Sequence, residues 1–181
     1  IGWDEILEGG LSPDATVMSW RGTSGGISAA LQKHDVIMTP GSGGLYLDHY
    51  QGDYKIEPVT IPSAPAYLSR TYNYEPVPDT IKSLGLEKHI LGVQCNNWSE
   101  YMYTNAKMEY QMYPRSLALA EIAWSPAKKK NFTDFARRVD ANSVRLDERH
   151  VRYHIPLPEQ PYGSCDKVVI TKDTVVTFQT S

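Results

Sequence analysis

The chain has 181 residues, of which 41% are hydrophobic and 22% charged, with a net charge of −3. This profile excludes a disordered chain and a basic nucleic-acid surface, and the length suits one ordinary domain. No apolar run approaches the roughly 20 residues that span a bilayer, and no charged segment precedes an apolar one at Ile1.

Four Trp and 12 Tyr stand against 3 Phe, a bias toward flat apolar faces with a polar tip that suits sugars and protein interfaces alike. Cys95 and Cys165 are too few for a disulfide framework and too far apart for a metal knuckle. Apart from the lone His150-x3-His154 pair the five histidines are scattered without a ligand pattern, and neither a metal nor a cofactor is expected.

Ile1-Gly2-Trp3 reads as a strand end met in mid-element, as in a piece of a longer chain, with Asp4 capping a short helix that stops at Gly9-Gly10. Ala15–Ser19 is a strand buried on both faces that exits into Trp20-Arg21-Gly22. Thr23 or Ser24 caps a helix through Lys33, and Val36–Thr39 is the next strand, closed by Pro40. Strand, short helix and strand in succession predict a parallel α/β sheet, with the period of a TIM barrel or a doubly wound fold.

After Pro40 the pattern breaks for almost fifty residues. Its tyrosines argue for an ordered excursion over the C-terminal face of the sheet, with a short helix near Asp79–Leu84. His89–Val93 then reads as a short buried strand opening into Gln94-Cys95-Asn96-Asn97-Trp98-Ser99-Glu100, a set of hydrogen-bonding groups around an indole. A linker leads to a helix over Pro114–Trp124, apolar almost all round and so expected to be buried against the sheet, with Glu121 and Trp124 in structural roles. Asn131 is the expected N-cap of a helix in which Phe132, Phe135, Ala136 and Val139 share a face, continuing after a break to Arg149. Residues 1–153 form the α/β unit. Residues 154–181 read as a proline-stiffened linker and a β-hairpin around Lys172-Asp173 that begins a small all-β domain.

Taken together, Gly2-Trp3-Asp4-Glu5, Val17-Met18-Ser19-Trp20-Arg21-Gly22, Tyr46-Leu47-Asp48, Gly92 to Glu100, and Pro114 to Glu121 closely resemble, in order and spacing, the family 20 glycoside hydrolases, the β-N-acetylhexosaminidases. The likeness covers about Ile1 to Arg152. It implies the C-terminal half of a (β/α)8 barrel, from the exit of strand five through strand eight, with a sugar pocket at the strand ends. Trp3, Trp20 and Trp98 would line that pocket. Tyr46 would hydrogen-bond the acetamido carbonyl, Asp48 would bind the acetamido nitrogen or a sugar hydroxyl, and Glu100 would grip the outer hydroxyls. In this family the substrate's own acetamido oxygen attacks the anomeric carbon, so the acetamido group must be folded inward and held.

The resemblance also implies a general-acid Glu and its partner Asp after a His-x-Gly-Gly segment, upstream of Ile1. Asp4-Glu5 follows Gly-Trp instead and is explained by helix capping. Cys95, Asn97 and Ser99 depart from the family's commoner residues and bear only on fine packing. The expected ligands are β-linked N-acetylhexosamine glycans, and the expected location is secreted, periplasmic or surface-attached. Unpaired sheet edges predict self-association. Two other readings stand beside the enzyme: a non-catalytic sugar-binding module that keeps the aromatic box, and a purely structural part-barrel.

Overall fold

The structure is a computed structural model that describes residues 1–156; the expected hairpin and Cys165 lie outside the described residues. Four short strands, β1 (Gly2–Trp3), β2 (Thr16–Ser19), β3 (Asp35–Met38) and β4 (Ile90–Val93), pair in sequence order, every pair parallel. Six helices accompany them: α1 (Ser24–Leu31), α2 (Leu68–Asn73), α3 (Asp79–Ser83), α4 (Asn105–Met112), α5 (Arg115–Trp124) and α6 (Phe132–Glu148). The register Trp3↔Met18, Ser19↔Met38 and Met38↔Val93 brings all four strand ends to one side of the sheet.

Alternation explains β2 and β3. Val17 and Ser19, then Val36 and Met38, point inward, and Val17, Val36 and Met38 join Ala29, Ala30 and Ile81 in one core. Helix α1 lies close on these strands because its first turn carries Gly25 and Gly26: a Cβ on Gly26 would stand 2.7 Å from the Met38 sulfur. The hydroxyl of Ser19, rather than Thr23 or Ser24, caps the helix, accepting from the Gly26 N–H at 2.8 Å.

A second core of Leu68, Tyr72, Ala118, Phe135 and Val139 joins α2, α5 and α6. Asn131 caps α6 as expected, its side chain accepting from the Asp134 N–H at 3.0 Å. The helix runs unbroken to Glu148, without the anticipated break.

Three expectations need correction. Asp4 is not a cap: Trp3 holds the position before a 3-10 turn over Asp4–Glu8, and the buried Asp4 carboxylate turns away to the Trp20-Arg21 corner. Strand β4 is an edge of the described sheet and only half-buried, with Leu91 58% exposed, because it pairs on one side alone. Helix α5 packs chiefly along α2 rather than being buried all round by the sheet, and Trp124, at its end, is 88% exposed. Glu121 remains structural, gripping Arg138 of α6 at 2.6 and 2.9 Å.

The long excursion is ordered. Its first part docks on the exit of β4 through an isolated parallel bridge, Tyr46↔Asn96, with Leu47 N–H to Asn96 O at 2.7 Å and Asn96 N–H to Leu45 O at 2.9 Å. This brings Tyr46-Leu47-Asp48 beside Asn96-Asn97-Trp98.

Candidate active site

The residues singled out at the strand ends converge. Trp3 and Trp98 lie 5.7 Å apart between ring centroids, Trp98 and Tyr46 meet edge to face at 6.5 Å, and Tyr46 and Trp20 stack within 12° of parallel at 6.5 Å. The four rings form one chain along the face where the strands end. Such a surface offers broad apolar contact with polar tips, the chemistry suited to a sugar and its substituents. Trp98 is 40% exposed, so the box is open on that side.

Asp48 lies two residues from Tyr46 and is only 1% exposed, yet neither of its carboxylate oxygens has a hydrogen-bond partner. Burial pushes its pKa up to about 6. Its own amide, the Arg115 charge and the Trp98 amide pull it back, while the Glu100 charge pushes it further. A buried carboxylate without a donor is costly, and the cost is removed when a donor arrives. The Tyr46 phenol is raised by burial and lowered by the nearby Asn96 and Trp98 side chains, so it remains a neutral donor at neutral pH. Glu100 stands apart from this buried set: it is exposed and acts on Asp48 through its charge.

The support beneath Asp48 was not legible as such. Arg115, fully buried at the start of α5, donates to the carbonyls of Leu47, Ala66 at 3.2 Å and Gln111 at 2.8 Å. Burial lowers its pKa to about 10, with Cys95, Glu57, Asp48 and Tyr110 opposing the shift. This arginine stands inside the Pro114 to Glu121 motif, where sequence alone assigns it no task. A charged residue opening an otherwise apolar helix was the available signal.

Asn96 is a second missed residue. It donates to the Thr39 hydroxyl at 2.8 Å and accepts from Gln94 at 2.7 Å, locking the β4 exit to the end of β3. His49, edge-on to Tyr46 at 5.6 Å, is the third, and burial lowers its pKa so that it is neutral at neutral pH. Burial raises the Cys95 thiol to about 12, which leaves it protonated. Among the described residues no three His, Cys, Asp or Glu side chains converge as metal ligands, and no helix is long and apolar enough to cross a membrane.

Comparison with known proteins identifies the family and the fold. Residues 1–127 match the model of the glycosyl hydrolase family 20 catalytic domain. The chain belongs to glycosyl hydrolase family 20. It is 59% identical over its whole length to a beta-hexosaminidase of Porphyromonas gingivalis, of which it covers 23%. It superposes with a TM-score of 0.79 and 31% identity on a family 20 exo-beta-N-acetylglucosaminidase of Vibrio harveyi solved with N-acetylglucosamine, matching 87% of this chain and 25% of that one. A Streptomyces coelicolor family 20 beta-N-acetylhexosaminidase, 20% identical and matched over 84% of this chain and 32% of its own, shares the fold with a TM-score of 0.72. The fold is therefore of the α/β, TIM-barrel-like kind. The chain spans about a quarter of the length of the P. gingivalis and V. harveyi relatives.

Proposed function

We propose that this chain is part of an exo-acting β-N-acetylhexosaminidase that removes terminal GlcNAc or GalNAc from β-linked glycans by a substrate-assisted, retaining mechanism. It contributes strand ends five to eight of a (β/α)8 barrel. The observation that carries this reading is Asp48, a buried carboxylate whose oxygens complete no hydrogen bond, beside a box of four aromatic rings.

Asp48 accepts a hydrogen bond from the acetamido N–H or a sugar hydroxyl. The Tyr46 hydroxyl donates to the acetamido carbonyl oxygen as that oxygen attacks the anomeric carbon. Trp3, Trp20 and Trp98 enclose the sugar and its methyl group, and Glu100 holds outer hydroxyls at the open rim. Holding the acetamido group in this pose turns the attack into an intramolecular step.

The general acid that protonates the leaving oxygen, together with its Asp partner, lies on residues outside this chain, so the isolated chain is inactive. The Asp4-Glu5 pair is engaged with Trp20 and Arg21, which supports excluding it from that role. We also propose that the isolated piece associates through its unpaired sheet edges, and that the parent protein is secreted, periplasmic or surface-attached.

The test is hydrolysis of an aryl β-N-acetylglucosaminide by the full-length protein and its inhibition by a thiazoline mimic of the cyclised intermediate. Hydrolysis blocked by the mimic is expected. Absence of hydrolysis, or hydrolysis indifferent to the mimic, overturns the mechanism.

A further inference from the structure

The two carboxylates that follow Trp3 converge on one residue of the aromatic box. The Asp4 carboxylate accepts from the Trp20 N–H at 3.1 Å, the Arg21 N–H at 3.2 Å and Arg21 Nε at 2.6 Å. Glu5 reaches further along the same residue and takes the indole Nε1–H with both oxygens, at 3.1 and 3.0 Å. The opposite end of Trp20 is also held, because its carbonyl accepts from the Gly41 N–H at 3.3 Å. Glycine keeps both flanks close. A Cβ on Gly25 would stand 2.9 Å from an Asp4 carboxylate oxygen, and one on Gly41 would stand 3.2 Å from the Tyr46 ring.

These restraints divide cleanly. Asp4 and Gly41 fix the backbone of Trp20, while Glu5 and the Tyr46 ring fix the indole. A tryptophan side chain has two torsions, and stacking on Tyr46 alone leaves the ring free to flip within its own plane of contact. A carboxylate on Nε1 removes that freedom, because the flipped ring would leave the N–H without its acceptor. Glu5 is solvent-exposed, so it contributes little to the core, and its effect falls on the ring it holds.

We propose that Glu5 is a positioning residue that sets the place of the Trp20 wall and thereby the fit of the N-acyl group of the substrate. This rests on the reading that Trp20, stacked on Tyr46, encloses that group. A wall locked in one orientation admits the acetyl methyl and rejects a longer acyl chain. An unlocked wall is a poorer support for the acetamido group and a less strict judge of its length.

The experiment compares full-length wild type, Glu5→Ala and Glu5→Gln on paired aryl β-glycosides of N-acetyl- and N-propionyl-glucosamine. One methylene in an apolar pocket is worth on the order of 10-fold or more in kcat/KM, which gives the comparison its range. Glu5→Ala is expected to lower kcat/KM for the N-acetyl substrate about 5- to 10-fold while the N-propionyl substrate loses less, so that the preference narrows. Glu5→Gln retains an oxygen acceptor and is expected within about twofold of wild type on both substrates.

An equal fall on both substrates, or an unchanged ratio, overturns the proposal. The contact itself is read independently of turnover, by following the Trp20 indole 15N–1H resonance through the acid range. It is expected to shift as Glu5 titrates in wild type and to lose that response in Glu5→Ala; an indole that ignores Glu5 also overturns the proposal. Failure of wild type to hydrolyse the N-acetyl glycoside while the indole still follows Glu5 overturns instead the assignment of the pocket, so the two failures are distinguishable.

Discussion

Two buried carboxylates on the same excursion, Asp48 and Glu57, have opposite surroundings. The Glu57 side chain is 5% exposed; it accepts from the Gln51 N–H at 2.9 Å and lies 3.4 Å from His154 Nε2. Burial alone would raise its pKa, but the His154 and Gln51 contacts outweigh it and the net shift is downward. Asp48 is buried as deeply and meets no such partner, and its pKa rises to about 6. Around Glu57 most polar groups are engaged: Gln51 Nε2 donates to the Tyr110 carbonyl at 2.5 Å and Gln111 Nε2 to the Thr60 hydroxyl at 2.9 Å, while Glu57 Oε1 has only the His154 ring and Gln111 Oε1 accepts no bond. Partnered burial of this kind steadies the scaffold, whereas the Asp48 carboxylate beside the aromatic box keeps acceptor capacity to spare, as its proposed role requires.

Arg115 joins the two regions, and removing it is the severest way to break the contrast. Arg115→Met keeps much of the volume but leaves the carbonyls of Leu47, Ala66 and Gln111 without their shared donor. The expected loss is on the order of 4 kcal/mol in urea unfolding of the full-length protein. Because the Arg115 charge holds the Asp48 value down, the Asp48 titration is expected to move further up where the variant still folds.

How much of this was legible follows from the range over which each signal acts. The strands, α1 and the Asn131 cap depend on neighbours in sequence, so periodicity and capping chemistry find them. Helix α4 escaped notice because Asn-Ala-Lys-Met-Glu-Tyr-Gln-Met has little apolar periodicity; its start rests on Thr104, which accepts from the Lys107 N–H at 3.1 Å. The aromatic box was readable only through the family resemblance, since Tyr46 and Trp98 are brought together by the Tyr46↔Asn96 bridge. Asp4 was misread because a carboxylate opening a helix is ordinarily a cap, and nothing local reveals a partner 16 residues away.

Asp48→Asn sharpens the comparison from the pocket side. The carboxyl binds its proton more tightly folded than unfolded, since about 6 exceeds the ordinary 3.8. Its favourable contribution is therefore full below pH 3.8 and lost as the pH rises through about 6. At pH 8 the amide is expected to be more stable than wild type by about 2 kcal/mol, with the advantage vanishing at pH 4. Activity should move the other way: kcat/KM on the aryl glycoside falls on the order of 10- to 100-fold, because the acceptor of the N–H or hydroxyl is no longer charged. A variant that is both less stable at pH 8 and fully active would make Asp48 a structural residue.

Glu57→Gln supplies the opposite pH signature. A carboxylate with a lowered folded value contributes stability above its unfolded value of 4.5 and loses it as the pH falls through the folded one. The variant is expected to cost about 1.5 kcal/mol at pH 7 and to converge on wild type in strong acid. Denaturant midpoints at several pH values would show Glu57 and Asp48 bending the stability profile in opposite senses. Parallel profiles would dissolve the distinction between the two carboxylates.

The smallest effect separates stability from site chemistry. Asn131 lies in neither carboxylate's surroundings. Its side chain caps α6, and its N–H is bonded to the Tyr72 hydroxyl at 2.7 Å. Asn131→Ala removes only the side-chain acceptor and is expected to cost about 1 kcal/mol, uniformly with pH because no titrating group is touched. Turnover at a temperature where the protein stays folded should be unchanged. If this variant lowered activity as Asp48→Asn does, the loss seen at Asp48 would reflect weakened folding, and the case for Asp48 as a ligand group would have to rest on its pH profile alone.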